Sequence, residues 1–300
     1  MNFESTRDSS VSVSCAQAIL RGLSAEGGLF VPEQFPHVSQ EEIAALRNLA
    51  YPEQAAFILE RWLPGFTPDE LARMTIEAYS AQRFPADVAA PLVAADDLFV
   101  LELFRGPTSA FKDFALQMLP RLISSARVKC EDTRTVSILV ATSGDTGKAA
   151  LEGFCDIPGT KICVFYPDGG TSDIQRLQMA TQRGENVSVV AVRGNFDDCQ
   201  TGVKHLFTDE ALARELDGAG AVLSSANSIN WGRLAPQIAY YFSAYAQLCD
   251  RGVIACGEEV DFCVPTGNFG NILAGWFAKR SGLPIGQLVC ASNQNNVLTD

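Results

Sequence analysis

Histidine is nearly missing: only His37 and His205 occur in 300 residues. Two histidines speak against a histidine-based triad and a histidine-rich metal site, and no metal is expected, so chemistry must rest mainly on other groups. The nine cysteines, at positions 15, 130, 155, 163, 199, 249, 256, 263 and 290, contain no CxxC pair. Several sit in apolar runs such as Lys161-Ile162-Cys163-Val164-Phe165. They read as buried, reduced thiols of a cytoplasmic protein. No apolar run approaches the roughly 18 residues that span a bilayer. The opening Met1-Asn2-Phe3-Glu4-Ser5-Thr6-Arg7 has no basic stretch followed by an apolar one, so no secretory signal is expected. Positive charge is also scarce. Lys and Arg number 23 against 35 Asp and Glu, a net charge of −12. Such a field repels nucleic acid and anionic membrane, and a small anionic substrate would need a local cationic pocket to override it.

What is present is the composition of a globular protein, 47% hydrophobic with 24 glycines. The first 95 residues read as mainly helical. Ser39-Gln40-Glu41-Glu42 is a capping box ahead of the apolar-periodic stretch from Ile43 to Leu49. Thr67-Pro68-Asp69-Glu70 is a second, with proline at the first helical position and Leu71, Met74 and Ala78 on one face. A boundary near residue 95 then separates domain 1–95 from an α/β region over 96–300. Strands are predicted at 135–141, 161–166, 186–192, 221–224 and 260–264, with a sixth beginning at 288–290. Helices are predicted between them near 172–183, 197–216, 232–249 and from Asn271. Alternation of this kind predicts an α/β fold with a doubly wound, mostly parallel sheet, whose ligands sit beyond the carboxyl ends of the strands. Asn296-Val297-Leu298-Thr299-Asp300 brings no closing helix or polar tail, so the sheet is expected to be interrupted there.

Four segments carry candidate chemistry. In Gly106-Pro107-Thr108-Ser109-Ala110-Phe111-Lys112-Asp113-Phe114, two phenylalanines flank a lysine. Burial lowers the pKa of an amine and makes it the nucleophile that Schiff-base chemistry needs, although an ordinary lysine can also lay its stem on apolar surface. Pro265-Thr266-Gly267-Asn268-Phe269-Gly270-Asn271 follows a strand and opens a helix. It is either a phosphate cradle of backbone amides or a tight turn without a ligand. Ala141-Thr142-Ser143-Gly144-Asp145-Thr146-Gly147-Lys148-Ala149 looks superficially like a nucleotide P-loop. Thr142 stands where that motif needs glycine and Ala149 where it needs Ser or Thr, so the motif fails, while hydroxyls and amides remain on offer to an anion. In Asn227-Ser228-Ile229-Asn230-Trp231-Gly232-Arg233, Asn230 and Arg233 share a face at a helix start. Arg233 either forks onto a phosphate or carboxylate or is a surface arginine beside a capping asparagine.

These four motifs, in this order, resemble the pyridoxal-phosphate enzymes of the tryptophan synthase β type, and most closely the threonine synthase family. Ser5-Thr6-Arg7, Ala18-Ile19-Leu20-Arg21-Gly22-Leu23 and Gly27-Gly28-Leu29-Phe30-Val31-Pro32 resemble that family as well, so the likeness spans nearly the whole chain. It implies pyridoxal 5′-phosphate as cofactor, held as a Schiff base on Lys112. Asp145 would lie near the cofactor's 3′ oxygen, and Gly267, Asn268, Phe269, Gly270 and Asn271 would bind its phosphate. It also implies a lyase of threonine biosynthesis that takes O-phospho-L-homoserine and water to L-threonine and phosphate, with Ser143, Thr146, Lys148, Asn230 and Arg233 as substrate contacts. A related phospho-lyase or dehydratase and a non-catalytic remnant are the alternatives. The Ser or Thr that meets the cofactor's pyridine nitrogen in the family has no counterpart before residue 300. The resemblance thus implies a chain cut short at its C-terminal side.

Overall fold

The computed structural model describes residues 1–85, 88–265 and 267–294. Thr266 of the glycine-rich turn and the closing segment 296–300 lie outside the described residues. Strands β1 (Phe3–Ser5) and β2 (Ser12–Val13) precede helix α1 (Cys15–Arg21) and strand β3 (Phe30–Pro32), and the three strands form one sheet in the order β2-β1-β3. Helices α2 (Gln40–Ala45), α3 (Tyr51–Trp62) and α4 (Pro68–Ala78) follow. Both capping boxes form as their spacing predicts: Ser39 with Glu42 starts α2 and Thr67 with Glu70 starts α4. Each satisfies amides that the first helical turn leaves without a partner, worth about 1 kcal/mol per cap. Leu71, Met74 and Ala78 of α4 are all buried. Strands β4 (Leu92–Ala95) and β5 (Leu98–Leu101) pair antiparallel, turning at Asp96, whose φ is 49°.

From there helices and strands alternate. Helix α5 (Asp113–Lys129) leads to β6 (Thr135–Ala141), α6 (Asp145–Phe154), β7 (Thr160–Pro167), α7 (Asp173–Ala180) and β8 (Val187–Val192). The expected helix at 197–216 is two helices, α8 (Phe196–Thr208) and α9 (Glu210–Gly218). Asp209, with ψ of 103°, breaks the helical path, and its carboxylate accepts the amides of Ala211 and Leu212. Strand β9 (Ala221–Ser225), helix α10 (Trp231–Asp250), strand β10 (Val260–Pro265), helix α11 (Gly270–Arg280) and strand β11 (Ile285–Ala291) complete the order. The fold is mixed α/β with parallel sheets and a helical N-terminal region. Four strands form a parallel sheet in the order β8-β7-β6-β9, and β10 and β11 form a parallel pair.

Contacts divide the chain into two compact units. One comprises Asn2–Val31 and Phe104–Arg233, the other Pro32–Leu103 and Leu234–Asp300 with Met1. In the first, α8 seats Cys199 and Val203 on Ala141, with Leu139, Phe165, Val192 and Phe196 packed around them. Helices α5 and α6 approach closely where Pro120, lacking an N–H, leaves the Leu116 carbonyl without its helical donor. Gly153 lies against that carbonyl, and a Cβ there would stand 2.0 Å from the oxygen. In the second unit, Leu92, Ala244 and Leu248 form a core joined by Leu101, Ile254, Val260 and Phe262, and Trp62, Phe35 and Phe277 meet at ring distances of 5.4–6.2 Å. The nine thiols are free, but only Cys15, Cys199 and Cys249 are buried. Cys263 and Cys290, on the two-stranded β10–β11 pair, are exposed.

Candidate functional site

The parallel sheet of the first unit reverses its winding at β6. The chain moves from β6 to β7 and β8 on one side, then returns to lay β9 on the other. A crevice beyond the carboxyl ends at such a reversal is where open α/β sheets bind ligands. Here β6 ends at Ala141, directly before the Thr142–Gly147 turn, and β9 ends at Ser225, directly before the loop to Arg233. Two of the predicted motifs therefore leave the sheet at its switch point.

Lys112 sits immediately before α5, a helix whose buried residues run almost continuously from Asp113 to Ile123. Its carbonyl accepts the Leu116 amide at 2.9 Å, which ties it to the first helical turn. Lys112 is only 5% exposed, and Phe114 is fully buried beside it in sequence. The Lys112 Nζ lies 4.3 Å from the centroid of the Phe111 ring and donates to Asp145 Oδ2 at 2.6 Å. Burial pushes the amine's pKa below its ordinary value, Asp145 opposes that, and the Arg233 charge adds to the lowering. The Asp145 side chain is 45% exposed, so the carboxylate is shielded on the lysine side and open on the other.

Asp145 owes its place to Thr142. The buried Thr142 hydroxyl accepts the amides of Gly144 and Gly147, each at 3.0 Å, and so folds the turn that starts α6. Gly144 has φ of 156° and lies against Gln175, so a Cβ there would stand 2.1 Å from the Gln175 Oε1. Asp145 Oδ1 accepts the Thr146 amide at 2.8 Å. Ser143 is exposed and Thr146 half-buried. Lys148 turns to its own helix and the next, donating to Glu152 at 3.3 Å and to Gln182.

Arg233 is 4% exposed and its Nη1 donates to the Ala226 carbonyl at 2.7 Å. Burial draws its guanidinium down to about 10, against the pull of Asp145, which still leaves it charged at neutral pH. Asn230 is buried with both ends of its amide engaged. Nδ2 donates to Ile19 O at 3.0 Å and Ser225 O at 3.3 Å, while Oδ1 accepts the Gly232 amide at 2.8 Å. It ties α1 to the loop that carries Arg233. Leaving those partners buried without it costs about 1–3 kcal/mol.

The glycine-rich turn belongs to the other unit. Gly267, Asn268 and Phe269 are exposed, and nothing lies within 4 Å of a Cβ built on Gly267. Helix α11 opens at Gly270 with no side-chain cap, so its opening amides lack a side-chain acceptor at the N-cap. Asn271 is pinned by two tyrosines: Tyr240 Oη donates to Asn271 Oδ1 at 2.6 Å, and Tyr241 Oη to the Asn271 carbonyl at 2.9 Å.

The structure thus brings Lys112, Asp145 and Arg233 to one end of one sheet, with Ser143 and Thr146 in the turn beside them. It shows Lys148 and Asn230 engaged with protein partners. Thr142 and Asp113 have duties that the four candidate motifs do not themselves show. A Thr-x-Gly after a strand, and a threonine five residues before an aspartate across the lysine loop, are the signals that pointed to them. No group of His, Cys, Asp and Glu suited to a metal occurs among the described residues, and none of their helices is long and apolar enough to cross a membrane.

Against known proteins, residues 2–79 match the model of the threonine synthase N terminus and residues 85–299 that of the pyridoxal-phosphate dependent enzymes. Threonine synthase-like 1 of Homo sapiens is 43% identical over 294 residues, covering 95% of this chain and 39% of that protein. The threonine synthase of Pseudomonas aeruginosa is 42% identical over 300 residues, 99% of this chain and 61% of that protein. The crystal structure of a PLP-bound threonine synthase from Brucella melitensis superposes with a TM-score of 0.89 at 41% identity, covering 99% of this chain and 62% of that one. The chain therefore spans between about two fifths and three fifths of the length of these relatives.

Proposed function

Since the chain belongs to the pyridoxal-phosphate dependent enzymes, on their threonine synthase branch, we propose that it acts on O-phospho-L-homoserine, with Lys112 as the amine that holds the cofactor. The residues present fit such a group. Lys112 supplies a buried primary amine of lowered pKa and Asp145 a carboxylate open on one side. When bound, pyridoxal phosphate supplies an electron-withdrawing ring that stabilises negative charge at the substrate's α and β carbons.

The chain's own groups do the rest. The Lys112 Nζ, kept from water and with its pKa lowered by burial, takes and returns protons at those carbons. Asp145 orients the amine through its 2.6 Å hydrogen bond. Arg233, with Ser143 and Thr146, forms the cationic, hydroxyl-bearing surface that an anionic leaving group needs in a protein of net charge −12. Asn230 holds the Arg233 loop in place, and Lys148 adds positive potential from α6. Gly267, Asn268, Phe269, Gly270 and Asn271 offer backbone amides to the cofactor phosphate. The acidic balance of the chain favours a small-molecule substrate over nucleic acid or anionic membrane, and its free thiols favour a cytoplasmic setting.

The observation that carries this reading is the half-buried Lys112–Asp145 pair at the switch point of a parallel sheet, with Arg233 close enough to act on the amine. Its test is incubation of the chain with pyridoxal phosphate and O-phospho-L-homoserine, with phosphate and amino-acid products measured. Threonine in step with phosphate is expected. 2-Oxobutyrate in its place would move the assignment to an eliminating lyase, and no phosphate release would contradict both.

A further inference from the structure

The loop that carries Lys112 is closed by a buried clasp. Thr108 donates twice to the residue after the lysine, its amide to Asp113 Oδ2 at 2.9 Å and its hydroxyl to Asp113 Oδ1 at 2.6 Å. Asp113 is fully buried and Thr108 is 6% exposed, so water does not compete for either bond. Gly106 lies directly on the carboxylate, where a Cβ would stand 2.6 Å from Asp113 Oδ2. The Gly106–Ser109 turn is closed by the Ser109 amide on the Gly106 carbonyl at 3.1 Å, with proline at its second position. Ser109 adopts φ of 57°, a left-handed conformation that a non-glycine residue keeps only when its surroundings hold it there.

Asp113 makes no bond to the lysine amine, which pairs with Asp145 instead. A carboxylate buried one residue from a lysine, with both oxygens turned away to a threonine, acts on the backbone. We propose that Thr108 and Asp113 are positioning residues for Lys112: their clasp fixes the strained loop 106–112 so that the amine is delivered out of water and onto Asp145. The proposal rests on Lys112 being the working amine, and it adds what keeps that amine in place.

The test is competitive acetylation of the full chain with acetic anhydride across pH, read at Lys112 by peptide mapping, together with amide hydrogen exchange over residues 108–112. The groups that bear on the amine, Asp145, Arg233 and the Phe111 ring, stay unchanged in every variant. In Thr108→Val and in Asp113→Asn, the labelling midpoint of Lys112 is expected to rise by roughly one pH unit as the amine regains water. The amides of Thr108 and Ser109 are expected to exchange at least about 10-fold faster. Thr108→Ser, which keeps the hydroxyl, is expected to retain both wild-type values. An unchanged midpoint and unchanged exchange in a folded Thr108→Val overturns the proposal, and that variant decides the matter if Asp113→Asn does not fold. Acetylation needs no cofactor. If pyridoxal phosphate labels some other lysine, the functional reading falls while the clasp is still judged on its own data.

Discussion

The two segments offered to the cofactor are built on opposite plans. Around Lys112 the chemistry belongs to side chains, each buried or half-buried and each held by a named partner: Lys112 by Asp145, Asp145 by the Thr142 turn, Arg233 by Ala226 and the Asn230 anchor. At 267–271 the side chains are exposed or tied elsewhere, and what remains is backbone at an uncapped helix start. The first plan is vulnerable to single side-chain changes. The second ignores them and is vulnerable only where an amide is lost or a Cβ intrudes.

Substitutions at the two segments can break that contrast. Arg233→Ala is expected to weaken O-phospho-L-homoserine roughly 100-fold, the scale of a pair of charged hydrogen bonds, while pyridoxal phosphate affinity falls far less. Equal losses in parallel titrations would remove the distinction between substrate and cofactor contacts. Phe269→Pro comes next. The φ of Phe269 is −68°, which proline accepts, so the change deletes one N–H at the helix start. Cofactor retention in the purified variant is expected to drop by about 10-fold, the cost of one charge-assisted hydrogen bond. Phe269→Ala and Asn268→Ala keep the amides and should alter retention less than about threefold, as surface changes do. A larger loss in the alanine variants than in Phe269→Pro would show that side chains carry this segment too.

The smallest effect is on stability. Burial lowers the Lys112 pKa, so the folded chain gives up that proton before the unfolded chain does. Between the lowered value and the ordinary 10.5, the unfolded state binds more protons and folding stability rises with pH. Lys112→Met lacks the buried charge. Its melting temperature should exceed the wild type's near pH 7, and the gap should narrow toward pH 10. A gap that is constant with pH would mean the amine is not strained by its setting.

Much of this arrangement is legible in the residues. The strands at 135–141, 160–167 and 187–192 announce themselves by short apolar runs between turns, and the caps at Ser39 and Thr67 by local spacing alone. Helix α5 was hidden because Pro120 interrupts it, a disruption absorbed only where Gly153 covers the freed Leu116 carbonyl. The β2-β1-β3 sheet was hidden because strands of two or three residues carry no period. At the site, glycines and charged residues mark the loops, but the bonds that aim them do not show. Asn230 looks like a ligand until its partner Ile19, 211 positions away, is in place. Asn271 looks like part of a cradle until Tyr240 and Tyr241 close on it. Local motifs reveal where chemistry can occur, and long-range burial decides which of their side chains are free to perform it.

Reductive trapping addresses the central claim most directly: the chain is incubated with pyridoxal phosphate, reduced with borohydride, digested and mapped. The account predicts a single cofactor-bearing peptide containing Lys112, lost in Lys112→Ala. A label on a different lysine, or one that persists in Lys112→Ala, would contradict it.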